Sequence, residues 1–331
     1  MSARSGSTNR SGRPVQDRLP PRPAQDSALL LKRTPYGESS LVVHVLSAKH
    51  GRVELIAKGA HRPKSRFSGV LDWFDTLGLD WNPPREASTS RTETARISSL
   101  GTLRTGDVDV RRRWITGSLE TYRAAHTAIE LVEHCTRSGF VDGGIYSLLA
   151  GALDELNLIG RALSDAARAS EAPDLSRLAH LPLRLARFEL RLLQVLGLEP
   201  SMRVCATCGD PAPAVPATGV PEPRAPFSPQ AGGRLCPRHA SEVHARGVRI
   251  GTLPVAVLEA AHELLHGGQE ALARAKEPDG PEFGERVLDF ASRFLDHQLQ
   301  TRPKSHAEFL GAPDRNRRAR ATGPDERATE G

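Results

Sequence analysis

Two different spacings of apolar residues divide this chain. Between residues 27 and 105, apolar and polar positions alternate in short runs separated by turn signals, the pattern of half-buried strands. "ALLLKRT" leads through the turn "PYG" into the β-branched run "SSLVVHVLS", and "AKHG" turns again into "RVELIAKG". In that last run Val53, Leu55 and Ala57 fall on one face, with Arg52, Glu54, Ile56 and Lys58 on the other. "LDWFDTLGLDW" groups Trp73, Leu77, Leu79 and Trp81 opposite Asp72, Phe74 and Asp80, and "TARISSLGTL" supplies a fifth strand. Five short strands within about 80 residues predict a small β-barrel.

From Asp107 the period becomes helical. "VRRRWITGSLETYRAAHTAIELVEHCT" predicts a long helix ended by "SGFVDGG", and "IYSLLAGALDELNL" a second. "LPLRLARFELRLLQVLG" predicts a third, with Leu181, Leu185, Phe188, Leu192 and Val195 in one stripe and Gly197 as its stop. Helical spacing returns in "PVAVLEAAHELLHGG" and "FGERVLDFASRFLDHQL". The expected class is α+β and multidomain. A disordered basic tail (1–26) precedes a barrel domain (27–106) and the first part of a helical domain (107–200). A metal-binding module with a Pro-rich insertion (201–245), the second helical part (246–311) and a disordered tail (312–331) follow.

The metal module rests on cysteine spacing. "CATCGD" and "LCPRH" place Cys205, Cys208, Cys236 and His239 in two pairs, each with two intervening residues, so that two tight loops present four ligands to one tetrahedral ion. A structural Zn2+ site closed by protein ligands is the expectation, with "FSPQAGGRLC" as a short strand and Gly-Gly turn delivering Cys236. A redox pair would need a βαβ unit, which this region lacks. Lone Cys135 on an apolar helix face reads as a small buried hydrophobe.

Catalytic signatures are not apparent: no phosphate-cradling Gly loop, dinucleotide fingerprint or nucleophile elbow occurs. His306 and Glu308 form the H-x-E half of a zinc-deaminase signature, but no cysteine follows them, so order and count fail. The expectation is a non-enzymatic protein. Nor is any apolar run long enough to span a bilayer, and the N-terminus has no apolar h-region, which points to the cytoplasm.

Charge narrows the partner. The 331 residues carry 45 Lys+Arg against 39 Asp+Glu, a surplus small enough that only clustering makes it informative. The cations do cluster: Lys49, Arg52, Lys58, Arg62, Lys64 and Arg66 accompany a single acid, Glu54. They flank a strand edge and the loop after it, where barrel folds hold nucleic-acid strands. Tyr36 and Phe67 are the stacking candidates, each equally able to serve packing, while Trp73 and Trp81 belong with the core. On the third helix Arg184, Arg187 and Arg191 share a face opposite the leucine stripe, either a solvated face or a second surface for DNA or an acidic partner. Arg111 to Arg113 either extend that surface or, the preferred reading, are solvated.

"LLLKRTPYGESSLVVHVLSAKHGRVELIAKGAHRPKSRFSGVL", "RFELRLLQVLGLEP", "CATCG", "FSPQAGGRLC" and "RPKSHAEFL" together resemble RecO, the bacterial recombination and DNA-repair mediator family, over about residues 28 to 310. The resemblance implies an N-terminal OB-fold and a helical domain carrying a zinc-ribbon-like insertion. It implies binding of single- and double-stranded DNA, annealing of complementary strands, and work with RecR in loading RecA onto gaps. It also implies a pocket for the acidic C-terminal tail of the single-strand-binding protein, and a nucleoid location in the cytoplasm. The Cys-x2-His second pair departs from the commoner Cys-x2-Cys, and histidine ligates zinc well. An RNA-binding OB/zinc-ribbon protein of the translation apparatus is the alternative.

Overall fold

The computed structural model describes residues 23–84, 100–139, 141, 143–169, 180–214, 222–268, 272, 281–300 and 304. Five strands close a barrel in the order β1-β2-β3-β5-β4: β1 Ala24–Tyr36, β2 Ser40–Ser47, β3 Gly51–Ala57, β4 Thr76–Asn82 and β5 Gly101–Val110. All neighbours are antiparallel except β3 and β5, which run parallel at Leu55↔Gly101 and Ile56↔Thr102. A long β1 makes closure possible. Its first half pairs with β4 and its second with β2, and a bulge between Leu30 and Lys32 bends it around the barrel. The interior is what alternation predicts: Val53, Leu55, Ala57, Leu77, Leu79 and Trp81 all pack there.

Several boundaries differ from the sequence reading. Ala24, Gln25 and Asp26 lie in β1, not in a tail, because β4 supplies them partners. The expected strand from Leu71 begins only at Thr76, since Phe74 takes φ +73, a left-handed conformation that no strand residue adopts. Strand β5 runs to Val110, past the expected change of period, because β4 pairs with it as far as Val110. Residues 94 to 99 of the expected fifth strand, His306, Glu308 and most of both expected tails lie outside the described residues.

Six helices follow among the described residues: α1 Leu119–Cys135, α2 Gly143–Arg168, α3 Leu181–Val195, α4 Pro237–Ala245, α5 Val255–His266 and α6 Pro281–Leu299. Helix α1 starts later than its period suggests, because Ser118 caps it, accepting the Thr121 N–H. Their core also takes in Leu29, Leu31, Leu46 and Phe74 from the outside of the barrel, so barrel and helices bury one continuous apolar surface. Close approach is enforced at Gly160, where a Cβ would collide with the Trp114 carbonyl. No helix among the described residues is long and apolar enough to cross a membrane.

The barrel is pinned by buried arginines. Arg112, 3% exposed, donates from Nε to Asp154 (2.7 Å) and from NH1 to the Phe74 carbonyl (2.8 Å) and Thr76 Oγ1 (2.9 Å). It thereby holds Phe74 in a strained conformation that costs about 1–3 kcal/mol and drives the ring against Tyr122 and His126 of α1. The reading of Arg111 to Arg113 as solvated therefore fails at Arg112.

Candidate nucleic-acid interface and metal centre

The basic segment forms the connection from β3 to β4. It is not a loose loop: Arg62 N–H donates to Gly59, Ser65 to Arg62, Ser68 to Ser65 and Val70 to Phe67, a chain of successive turns. The His61 N–H donates to the Ser39 carbonyl, tying the arm to the β1–β2 hairpin. Phe67 and Leu71 anchor its far end in the barrel core. Lys58, Arg62, Lys64 and Arg66 are all exposed, and none makes an ion pair among the described residues. Four unneutralised cations on an ordered backbone raise the local potential for a polyanion.

Other candidates fare differently. Lys49 is exposed at the β2–β3 turn, where its backbone N–H donates to Asp26 at 2.6 Å. Arg52 is committed elsewhere. Its side chain is 13% exposed, and NH1 donates to the Glu133 and Thr136 carbonyls at 2.9 Å each. NH2 lies 2.8 Å from His44 Nδ1 and pairs with Glu54 and Glu133. These contacts bind the barrel to the C-terminal end of α1 and leave the guanidinium unavailable to a phosphate. Phe67, offered by the sequence as a stacking ring, is 4% exposed and cannot meet a base face to face. Tyr36, half-buried at the end of β1, remains accessible.

Sequence reasoning missed Arg33 and Trp73 as parts of this surface. The Arg33 NH1 donates to the Leu71 carbonyl at 3.1 Å, and its guanidinium lies 5.4 Å from the centre of the Trp73 ring. Trp73, partly buried, packs against both the barrel core and the helical core, beside His126 of α1, because Phe74 breaks the alternation. The only signal was a lone "KR" closing an apolar run.

The seam between barrel and α1 carries two histidines. Burial pushes His126 below its ordinary value; the ring lies among Trp73, Phe74 and Tyr122. Burial likewise lowers His44, with Arg52 adding to the effect against Glu54 and Glu133.

Helix α3 is more enclosed than one leucine stripe implies, since Leu183, Ala186 and Leu190 are buried too. Arg184, Arg187 and Arg191 occupy the half-buried strip that is left. Arg184 pairs with Glu155 at 3.0 Å and Arg191 donates to Gln194 at 3.2 Å; Arg187 has no ion pair among the described residues.

Cys205, Cys208, Cys236 and His239 converge, their ligand atoms all within 4.8 Å of one another. Gly209 (φ +77) closes the first loop by donating its N–H to Cys205 O at 2.8 Å. The β6–β7 hairpin (Arg224–Ser228, Gly233–Arg234) delivers Cys236 as expected, and Cys236 opens helix α4. His239 Nδ1 faces the sulfurs of Cys205 and Cys236 at 3.5 and 3.2 Å. Tetrahedral zinc with ordinary bond lengths requires ligand separations of about 3.5 Å, so the donor set fits such an ion. Burial pushes the Cys205 thiol up, but N–H groups of Cys236, Cys208 and Thr207 outweigh it and bring it down to about 6. In contrast, burial alone pushes Cys135 up to about 12, the behaviour of an inert thiol.

Residues 22–99 match the family described as Recombination protein O N terminal, and residues 174–307 match Recombination protein O C terminal. The DNA repair protein RecO of Anaeromyxobacter dehalogenans (strain 2CP-1 / ATCC BAA-258) is 30% identical over 281 residues, 84% of this chain and 92% of its own length. That of Myxococcus xanthus (strain DK1622) is 28% identical over 280 residues, covering 85% and 94%. A shorter match to the RecO of Paraburkholderia xenovorans (strain LB400) reaches 47% over 66 residues, 20% of this chain and 22% of that one. With both halves matched in order, and a relative aligned along most of both lengths, the chain belongs to the RecO family of DNA repair proteins.

Proposed function

We propose that this protein binds single- and double-stranded DNA through the β3–β4 arm and brings complementary strands together as a recombination mediator. The observation that carries the proposal is the set of four exposed cations, Lys58, Arg62, Lys64 and Arg66, on a turn-bonded arm with no ion pair among the described residues. Neutralising phosphates on two strands relieves the repulsion between them, and bases can then meet. Lys49 extends the surface; Arg52 does not, since its donors are spent on α1.

The residues Cys205, Cys208, Cys236 and His239 would hold Zn2+ in a site whose four positions are all filled by protein, so the ion would supply folding energy and no open position for chemistry. Metal analysis of protein purified without chelator should return one zinc per chain, and its absence would remove zinc from the proposal. In this reading RecR and the acidic tail of the single-strand-binding protein are the protein partners. Their action leads to RecA loading on gaps, and the protein works at the nucleoid in the cytoplasm. An apolar hollow lined by Leu181, Leu185 and Phe188, with Arg184 at its side, supplies the cation-plus-apolar chemistry an acidic tail needs.

The test is a salt titration of single-stranded DNA binding. Five contacts, from Lys49 and the four arm cations, give a slope of log K against log salt of about −3.5. Replacing Lys58, Arg62, Lys64 and Arg66 together by Ala should bring it to about −0.7 with the fold intact. An unchanged slope would refute the role of the arm.

A further inference from the structure

Beneath the arm lies a hollow of about 380 Å³. That size falls within the range of ligand-binding clefts. Its floor is Leu41, Phe67 and Leu71, exposed by only 7%, 4% and 5%, so it is a rigid apolar surface backed by the barrel core. Its walls are polar: Arg33, His61 and Asp72. Residues of the arm line it on both sides of Arg62, Lys64 and Arg66, with Ala60 and His61 before them and Phe67 to Gly69 after. A strand whose phosphates met Arg62, Lys64 and Arg66 would therefore run across the opening.

The walls are prepared for a flat, polar ring. Arg33 is held twice, by its bond to the Leu71 carbonyl (3.1 Å) and by its seat over Trp73 (5.4 Å). A guanidinium immobilised in this way is a plane on which a nucleobase stacks. Asp72 is the unexpected member. A carboxylate beside a phosphate-binding arm weakens attraction for the backbone, and its side chain is 59% exposed. One oxygen, Oδ1, accepts the Trp73 N–H at 2.9 Å and lies 3.8 Å from Arg33 NH1. The other has no hydrogen-bond partner among the described residues. Such an acceptor at the side of a base-sized hollow suits an exocyclic amine, as carboxylates suit cytosine N4.

We infer that this hollow receives one unstacked nucleobase from the bound strand, stacked against Arg33, and that Asp72 selects bases carrying an exocyclic amino group over thymine. The inference rests on the DNA-binding reading of the arm. An arm that binds only backbone would treat all strands alike; this one reads a base at one point.

Homopolymeric dC and dT strands of equal length, with an abasic strand as control, decide it. The wild-type chain should bind dC about five- to tenfold more tightly than dT, the discrimination of one amine contact. The ratio should not vary with salt, because both strands carry the same phosphates. Asp72→Ala should bind dT at least as tightly as wild type, since a negative charge is gone, and should lose the extra affinity for dC; Asp72 is exposed, so the fold survives. Equal affinities in the wild type, or a preference that persists in Asp72→Ala, would overturn the inference while leaving the arm's role intact. Failure of every strand, abasic included, to bind at low salt would overturn the arm and this inference together.

Discussion

Phe67 separates two roles that the sequence left open, a ring that stacks on DNA and a ring that anchors the arm. It is 4% exposed and packs with Leu41, Leu71 and the barrel strands. Burying such a ring contributes about 2 kcal/mol by transfer from water. Removing it also leaves a void, so Phe67→Ala should cost about 3–5 kcal/mol. Phe67→Leu keeps most of the apolar volume and should cost about 1.5 kcal/mol or less. A further fraction comes from the Arg66 guanidinium 5.5 Å from the ring centre, worth about 0.5–1 kcal/mol at an exposed site. Urea unfolding followed by circular dichroism reads these costs, and a strand titration on the folded protein reads the other role. For an anchor, Phe67→Leu binds DNA with near wild-type affinity and Phe67→Ala mainly unfolds earlier. For a stacking ring, Phe67→Leu would lose about 1–3 kcal/mol of binding with stability unchanged. That second pattern would refute the anchoring argument.

Other positions give sharper structural outcomes. Arg112→Ala leaves the Phe74 carbonyl and Thr76 hydroxyl without their donor, and unfolding should shift by about 3–5 kcal/mol. Asp154→Asn, at a carboxylate 57% exposed, should cost under about 1 kcal/mol. Arg52→Ala should destabilise by about 2–4 kcal/mol through the orphaned Glu133 and Thr136 carbonyls. It should also leave the salt slope of DNA binding unaltered, and a shallower slope would mean that Arg52 meets a phosphate after all. Acid should weaken the seam. Burial lowers His126 and His44, so below about pH 6.5 the unfolded chain takes up protons before the folded one, and stability falls with pH. His126→Phe should flatten that fall in denaturant midpoints measured across the range. Asp26 is a separate case. Burial pushes its carboxyl up, but Ser47 and the backbone N–H groups of Lys49 and Ser27 outweigh it and hold it below 3.8. Its contribution is present above that pH and lost only in stronger acid.

What could be read without coordinates followed from local periodicity. Val53, Leu55 and Ala57, and again Leu77, Leu79 and Trp81, alternate because a closed barrel has one dry face, and a period of two reports dryness directly. The convergence of Cys205, Cys208, Cys236 and His239 was equally legible, since two Cys/His pairs with short spacers need only two tight turns to meet. The cationic arm was visible as charge. Its order was not, because the tie from His61 to Ser39 joins residues far apart in sequence.

The sequence by itself thus determined the order of barrel and helices and which four side chains converge as candidate metal ligands. Tertiary structure alone decided what each cation does. Arg52, Arg112 and Arg66 are the same residue type with nothing local to tell them apart. Arg52 meets the last carbonyls of a helix, and Arg112 meets the carbonyl of a strained Phe74. Arg66 meets solvent and the Phe67 ring and makes no ion pair among the described residues. A guanidinium is spent wherever buried acceptors lack donors, and the position of those acceptors is set by the packing of barrel on helices, not by neighbours along the chain.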